Sequence, residues 1–178
     1  MLILIGKSGS GKDAVAKELQ KRGWERIITD TTRKPRGCEK NGVDYNFISD
    51  TEFFYRFIND YYIETKKYVT ADEKIVSYGT PNFSNKEKQF VILSPRSFTD
   101  INEKVSNTSV YLYANNSTIK NRLLKRGDDK DEIARRMTAD SNDFKGIENE
   151  VDKIVYNDVG YDIKEIADKI EKIATEAK

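Results

Sequence analysis

With 178 residues, 37% of them hydrophobic, the chain is long enough to bury one core as a single domain with small insertions. Its 31 basic and 30 acidic residues leave a net charge of +1, which gives no general attraction to nucleic acid or to a membrane surface. The absence of histidine and the single cysteine, Cys38, exclude zinc centres, histidine-based triads and an internal disulfide. No apolar run approaches the ~18 residues of a membrane span. Met1 leads directly into an apolar segment with no signal-peptide pattern, so a cytoplasmic monomer or homodimer is expected.

The first element, Leu2-Ile3-Leu4-Ile5, reads as a strand buried on both faces of a parallel sheet. It runs into Gly6-Lys7-Ser8-Gly9-Ser10-Gly11-Lys12, the G-x-x-x-x-G-K pattern in which small residues let successive backbone N–H groups point at phosphate oxygens. Gly6, Ser8, Gly9, Ser10, Gly11 and Lys12 are therefore candidate contacts to a nucleoside triphosphate, with Lys12 reaching the β- and γ-phosphates. The segment 14–22 carries Val15 and Leu19 on one helical face, and its N-terminus adds a helix dipole to the same anion site. Asp13 stands where Ser or Thr normally offers a hydroxyl to Mg²⁺. Direct metal binding, orientation of a metal-bound water and capping of the helix N-terminus all remain open for it.

The next informative stretch runs from Thr31 to Phe47: Thr-Thr-Arg-Lys-Pro-Arg-Gly-Cys-Glu-Lys-Asn-Gly-Val-Asp-Tyr-Asn-Phe. Arg33 and Arg36, three residues apart beside a stiff Pro35, can grip one phosphate with forked, charge-assisted hydrogen bonds, and Tyr45 can add a phenolic donor. Read alone, the stretch suits a basic surface loop equally well; beside a phosphate loop, a second phosphate site is the better reading. The pattern T-T-R-x-P-R-x-x-E-x-x-G-x-D-Y-x-F strongly resembles the monophosphate site of the guanylate kinase family. That resemblance implies an α/β fold with a P-loop NTPase-type parallel sheet flanked by helices. The core would be residues 1–32, 81–125 and 147–178, with an inserted small mixed-sheet monophosphate-binding subdomain over about 33–80 and a helical lid over about 126–146. It further implies Arg33, Arg36, Glu39 and Tyr45 as monophosphate contacts and Thr29 as a base contact. Cys38, inside the Arg36 to Glu39 turn, is expected to be an incidental small residue.

Phe53, Phe54, Phe57 and Ile58 pair at i, i+4 and predict a short helix whose aromatics, with Tyr55, belong to a core rather than to a base-stacking platform. Tyr62-Ile63-Glu64 and Tyr78-Gly79-Thr80 resemble the family segments that supply the guanine-binding acid and the phosphate and base contacts, so Glu64, Tyr78 and Thr80 join the candidate site. The intervening residues 65–77 are more numerous than the family leads one to expect. Gln89 to Ser94 reads as another buried strand, followed by a helix through Ser106. Here the resemblance breaks, because Ser94 and Arg96 stand where the family usually carries an aspartate on the base side.

Ser109 to Tyr113 reads as a strand with Val110 and Leu112 facing one way, and Ile119, Leu123 and Leu124 continue at helical spacing. Arg126-Gly127 then opens the expected lid. By resemblance Arg126 and Arg136 are catalytic with Lys12 and Arg36, although Arg122, Arg126, Arg135 and Arg136 are each also readable as solvated helix charges. Lys153 to Asp158 supplies a last strand and then Asn157, which resembles the family's adenine-side contact. Ile163, Ile166, Ala167, Ile170, Ile173, Ala174 and Ala177 form the apolar stripe of a closing structural helix. Prolines 35, 81 and 95 mark turns, and no linker or repeat appears. The resemblance thus implies transfer of phosphate from ATP, with Mg²⁺, to GMP or dGMP. The departures at Asp13, Ser94 and Arg96 leave open a different nucleoside monophosphate or a catalytically silent phosphopeptide-binding module.

Overall fold

The computed structural model describes residues 1–37, 39–70 and 73–176. Cys38 and Ala177, both read above, lie outside the described residues. In chain order the elements are β1 (Leu2–Ile5), α1 (Lys12–Lys21), β2 (Glu25–Ile27), β3 (Asp30–Thr31), β4 (Asn46–Phe47), α2 (Asp50–Ile58), β5 (Tyr62–Val69) and β6 (Ile75–Pro81). They continue with β7 (Gln89–Leu93), α3 (Pro95–Asn102), β8 (Thr108–Tyr113), α4 (Asn116–Arg126), α5 (Lys130–Asp143), a 3₁₀ turn (Ile147–Asn149), β9 (Lys153–Tyr156) and α6 (Ile163–Glu176).

Five strands, in the order β2-β7-β1-β8-β9, make a wholly parallel sheet, with Leu2 opposite Phe90 on one side and Thr108 on the other. All four residues of β1 are inaccessible to solvent, which explains why its sequence is unbroken apolar rather than alternating. Leu2 and Leu4 pack with Val15 and Leu19 of α1 and Ile166 and Ile170 of α6. Ile3 and Ile5 pack with Phe98 and Ile101 of α3, together with Phe144 and Ile147. Because the strands are parallel, the turns after β1, β8 and β9 gather at one edge of the sheet, where ligands of such folds bind.

A second, mixed sheet in the order β4-β3-β6-β5 stands beside this core, with β3 parallel to β4 and antiparallel to β6. The surplus residues between Glu64 and Thr80 extend the antiparallel hairpin β5–β6, which stays paired out to Val69 opposite Ile75.

Three expectations are corrected. On α2, whose N-cap Ser49 accepts a hydrogen bond from Glu52 N–H, only Phe53 is buried, stacked on Tyr62 at 4.8 Å between ring centroids. Phe54, Tyr55, Phe57 and Ile58 are exposed rather than core, because this nine-residue helix turns only Phe53 and the Asp30-paired Arg56 toward the small sheet. Leu124, read with Ile119 and Leu123 as one apolar face, is exposed while those two are buried. Finally, α3 stops at Asn102 rather than Ser106: the N–H groups of Lys104 and Val105 both turn back to the Ile101 carbonyl, and the Asn107 side chain takes the Val105 carbonyl.

Candidate active site

The loop from Gly6 to Lys12 joins β1 to α1 at the ligand-binding edge. Gly11 has φ +103°, and a Cβ there would meet the Asn157 amide nitrogen at 2.3 Å, so both backbone and space require glycine. At Gly6 a Cβ would meet Ser10 Oγ at 2.6 Å and the Leu112 carbonyl at 2.8 Å. The loop is held from below. Asn157, 3% exposed, donates from Nδ2 to the Ser10 carbonyl at 2.7 Å, and Arg122 donates to the same carbonyl at 3.2 Å. Within the loop the Ser10 N–H closes a turn onto the Lys7 carbonyl at 3.0 Å.

The Lys12 ammonium curls back to donate to the carbonyls of Gly6 at 2.6 Å and Lys7 at 3.0 Å, and burial pushes its pKa down. The N–H of Ser8 donates to a carboxylate oxygen of Asp140 on α5 at 2.6 Å, so the cradle holds an anion belonging to its own chain. Asp13, in the first turn of α1, forms no side-chain cap; its carboxylate is 63% exposed and lies 3.9 Å from the Arg26 guanidinium. Among the described residues no group of three or more His, Cys, Asp or Glu side chains gathers. One hard carboxylate oxygen at this position suits Mg²⁺, which keeps waters and phosphate oxygens for the rest of its shell.

Across the cleft, Arg33 is locked from every side. Its guanidinium forms a fork with Glu39 at 2.8 and 3.1 Å, donates from Nε to the Tyr78 hydroxyl at 2.8 Å, and lies over the rings of Tyr45 and Phe47 at 5.2 and 5.6 Å. Burial works against the Arg33 charge, but the hydrogen bonds and charges of Glu39 and Tyr78 together outweigh it and raise the pKa. Glu39 is likewise held down, against its own burial, by Arg33 and by the N–H of Arg36 at 2.7 Å. Arg36 differs: its guanidinium makes no hydrogen bond among the described residues. Desolvation and then the neighbouring Arg33 and Arg136 push its pKa down. A guanidinium crowded by two others is an anion site in waiting. Tyr45, its hydroxyl pushed up to about 12 chiefly by burial, packs edge-on against Tyr78 with ring centroids 5.8 Å apart.

On β5, Glu64 is 6% exposed and accepts from the Thr80 hydroxyl at 2.7 Å through one oxygen, while the other is buried without a partner among the described residues. Burial raises its pKa. Thr29 is half-buried, and its carbonyl ties the strand Asn46–Phe47 by accepting from Asn46 N–H. Where the family aspartate is missing, Ser94 caps α3 and shares a hydrogen bond with the Tyr68 hydroxyl at 2.9 Å. Arg96 lies over the Tyr68 ring and pairs with Asp143 of α5 at 3.1 Å.

The arginines of the expected lid are drawn together by one acid. Asp128 pairs with both Arg126 and Arg136, and Arg136 also holds Glu132 at 2.7 Å. The Asp128 hydrogen bond raises the Arg126 pKa, and the charges of Asp13 and Glu39 act on it in the same direction. Sequence reasoning gave Arg122 no particular role, with a solvated helix charge as one reading; its position one turn before Arg126 on α4 was the available signal for a loop-holding role.

A model of the family described as guanylate kinase matches residues 1–177. The chain belongs to the guanylate kinase family. A guanylate kinase of Latilactobacillus sakei is 32% identical to it over 97% of this chain and 87% of its own, and one of Onion yellows phytoplasma is 29% identical over 96% and 82%. Among solved structures, a guanylate kinase from Anaplasma phagocytophilum superposes with a TM-score of 0.70 over 99% of this chain and 85% of its own, at 21% identity, a likeness of fold. Membership accounts for the pairing of a parallel core with a small mixed sheet.

Proposed function

We propose that this guanylate kinase family member transfers the γ-phosphoryl group of ATP to GMP or dGMP. The observation that carries the reading is the pair of anion cradles: a glycine loop whose Ser8 N–H already takes a carboxylate, and an arginine loop whose Arg33–Glu39 fork adjoins an Arg36 guanidinium that makes no hydrogen bond among the described residues. Two phosphate sites meeting under shared arginines suit direct transfer between nucleotides, with catalysis supplied by alignment and charge stabilisation. The buried Glu64 oxygen that has no hydrogen-bond partner among the described residues supports guanine, whose Watson–Crick edge offers adjacent N1–H and N2–H donors; Thr80 beside it and Thr29 would be further polar contacts.

The chain's own residues divide the work. The loop Gly6 to Asp13, including Ser8, Gly9, Ser10, Gly11 and Lys12, would bind the triphosphate, with Asn157 and Arg122 shaping it from beneath. Arg33, Arg36, Glu39, Tyr45 and Tyr78 would orient the acceptor phosphate. Arg126 and Arg136 would leave Asp128 for the transferring group as the segment 126–146 closes and excludes water. Asp13 would hold Mg²⁺, whose charge offsets that of the phosphate oxygens when bound.

Production of ADP from ATP and Mg²⁺ with each nucleoside monophosphate in turn tests the reading. GMP and dGMP are expected to be the preferred acceptors. Preference for another base would overturn the guanine assignment, and no turnover with any acceptor would overturn the kinase assignment.

A further inference from the structure

Arg26 lies outside the motifs that define the site, yet it touches both halves of it. It is the middle residue of β2, the edge strand of the parallel sheet. Its neighbour Ile27 packs into the core layer beneath α3, and strand alternation turns Arg26 to the opposite face, toward the start of α1. The side chain is only 8% exposed, unusual for an arginine without a close ion pair.

Its guanidinium is divided between two loops. One terminal nitrogen donates to the Asp44 carbonyl at 3.0 Å, and the other stands 3.9 Å from the Asp13 carboxylate. Asp44 precedes Tyr45, whose ring backs Arg33 in the acceptor cradle. Asp13 follows Lys12 in the donor loop, and the Arg26 charge is felt at Lys12 itself. The planar fork of arginine, rigid and permanently charged, can hold two oxygens at a set separation, which a flexible ammonium cannot.

We propose that Arg26 is a positioning residue that fixes the acceptor loop against the donor loop and so sets the alignment of the two phosphates. This inference rests on the kinase reading for its chemistry but on the Asp13–Arg26–Asp44 arrangement for its geometry. It also gives the aspartate at position 13 a second use, as the donor-loop end of the brace. Misalignment far from the reacting atoms of about 1 Å costs on the order of 10²-fold in rate without removing any substrate contact.

The test compares the wild-type chain with Arg26→Gln and Arg26→Lys. In Arg26→Gln, kcat is expected to fall about 10- to 100-fold with KM for either nucleotide changed less than about threefold. Arg26→Lys, which keeps the charge and loses the fork, is expected to recover only part of that loss. A second readout needs no turnover: the Kd of GMP is measured by calorimetry with and without a non-hydrolysable ATP analogue. Wild-type coupling of about fivefold or more is expected, falling to near unity in both variants. Failure of wild-type turnover alone would overturn the kinase reading, with the calorimetric coupling still deciding the role of Arg26. Unchanged coupling in both variants, absent coupling in the wild type, or a raised KM with kcat preserved would overturn the brace.

Discussion

The carboxylate of Asp140 accepts a hydrogen bond of 2.6 Å from the backbone N–H of Ser8, in the glycine loop that is shaped to receive phosphate. Asp140 is one helical turn beyond Arg136 on α5, so the helix that would bring that arginine to the phosphates also carries an anion that meets the glycine loop. An incoming triphosphate brings negative charge to the same corner, and Lys12 beside it feels Asp140 already. Asp140→Ala is therefore expected to tighten binding of a non-hydrolysable ATP analogue about five- to tenfold, the equivalent of one hydrogen bond of about 1 kcal/mol or slightly more. Calorimetry checks it; equal or weaker binding would show that the contact does not compete with the nucleotide.

Arg33 and Glu39 form the best-built ion pair of the acceptor cradle, with Arg33 nine-tenths buried and Glu39 partly so. Removing one partner of such a pair strands the other's charge. Glu39→Gln is expected to destabilise the fold by about 2 to 3 kcal/mol and to raise the KM for the monophosphate, because the buried Arg33 guanidinium between Tyr45 and Tyr78 loses the carboxylate that neutralises and orients it. Chemical denaturation alongside kinetics measures both. An unchanged midpoint would mean that the pair adds little to the fold.

Much of this arrangement was legible in the sequence because its parts are local. The unbroken apolar run of β1, the glycines of the loop and the arginine loop each carry their chemistry within a few residues. What escaped was long-range. Asn157 and Arg122 meet the loop carbonyls from 147 and 112 residues away, and no spacing rule announces such a contact. The depth of α2 was misjudged for a related reason: i, i+4 pairing of aromatics makes a helix, but how many of them are covered depends on the small sheet beneath. Arg96, a break in the family pattern, proved to be tied to Tyr68 and Asp143, contacts that arise only when α3 packs on β5 and α5 comes near it.

Arg36 contrasts with Arg33 because nothing among the described residues holds its guanidinium. A residue that contributes no packing or pairing to the fold is expected to show its effect in turnover alone. Arg36→Ala should lower kcat/KM for the monophosphate by about 10²-fold or more while leaving the denaturation midpoint within about 0.5 kcal/mol of wild type. Steady-state kinetics with a melting curve decides it, and near-normal turnover would remove Arg36 from the site.

Glu132 is held down to about 2, first by the Arg135 hydrogen bond and then by Arg136. Asp128 is also lowered, first by Arg126. A carboxylate depressed in the folded state lends stability above its unfolded value and loses it as pH falls through the folded one. Between about pH 4.5 and 2 the α5 network is thus expected to come apart, releasing Arg136 and raising amide exchange across residues 128–143 before the parallel core opens. In Glu132→Gln the protection of this segment should already be reduced at neutral pH and should change less on acidification. An acid transition identical in the variant would assign it to other carboxylates.

Glu64 shifts in the opposite sense: burial raises its pKa above the ordinary 4.5. As pH falls through that raised value the folded protein takes up a proton more readily than the unfolded chain, so this group adds stability toward acid even as it loses its use. A protonated carboxyl can no longer accept two donors from a guanine edge, and its one free oxygen is the atom without a partner among the described residues. The KM for GMP is therefore expected to rise on acidification while the KM for ATP stays nearly level. Glu64→Gln should raise the GMP value about tenfold or more at neutral pH and flatten its pH dependence. A pH profile of the same shape in wild type and variant would mean that some other group, and not Glu64, reads the base.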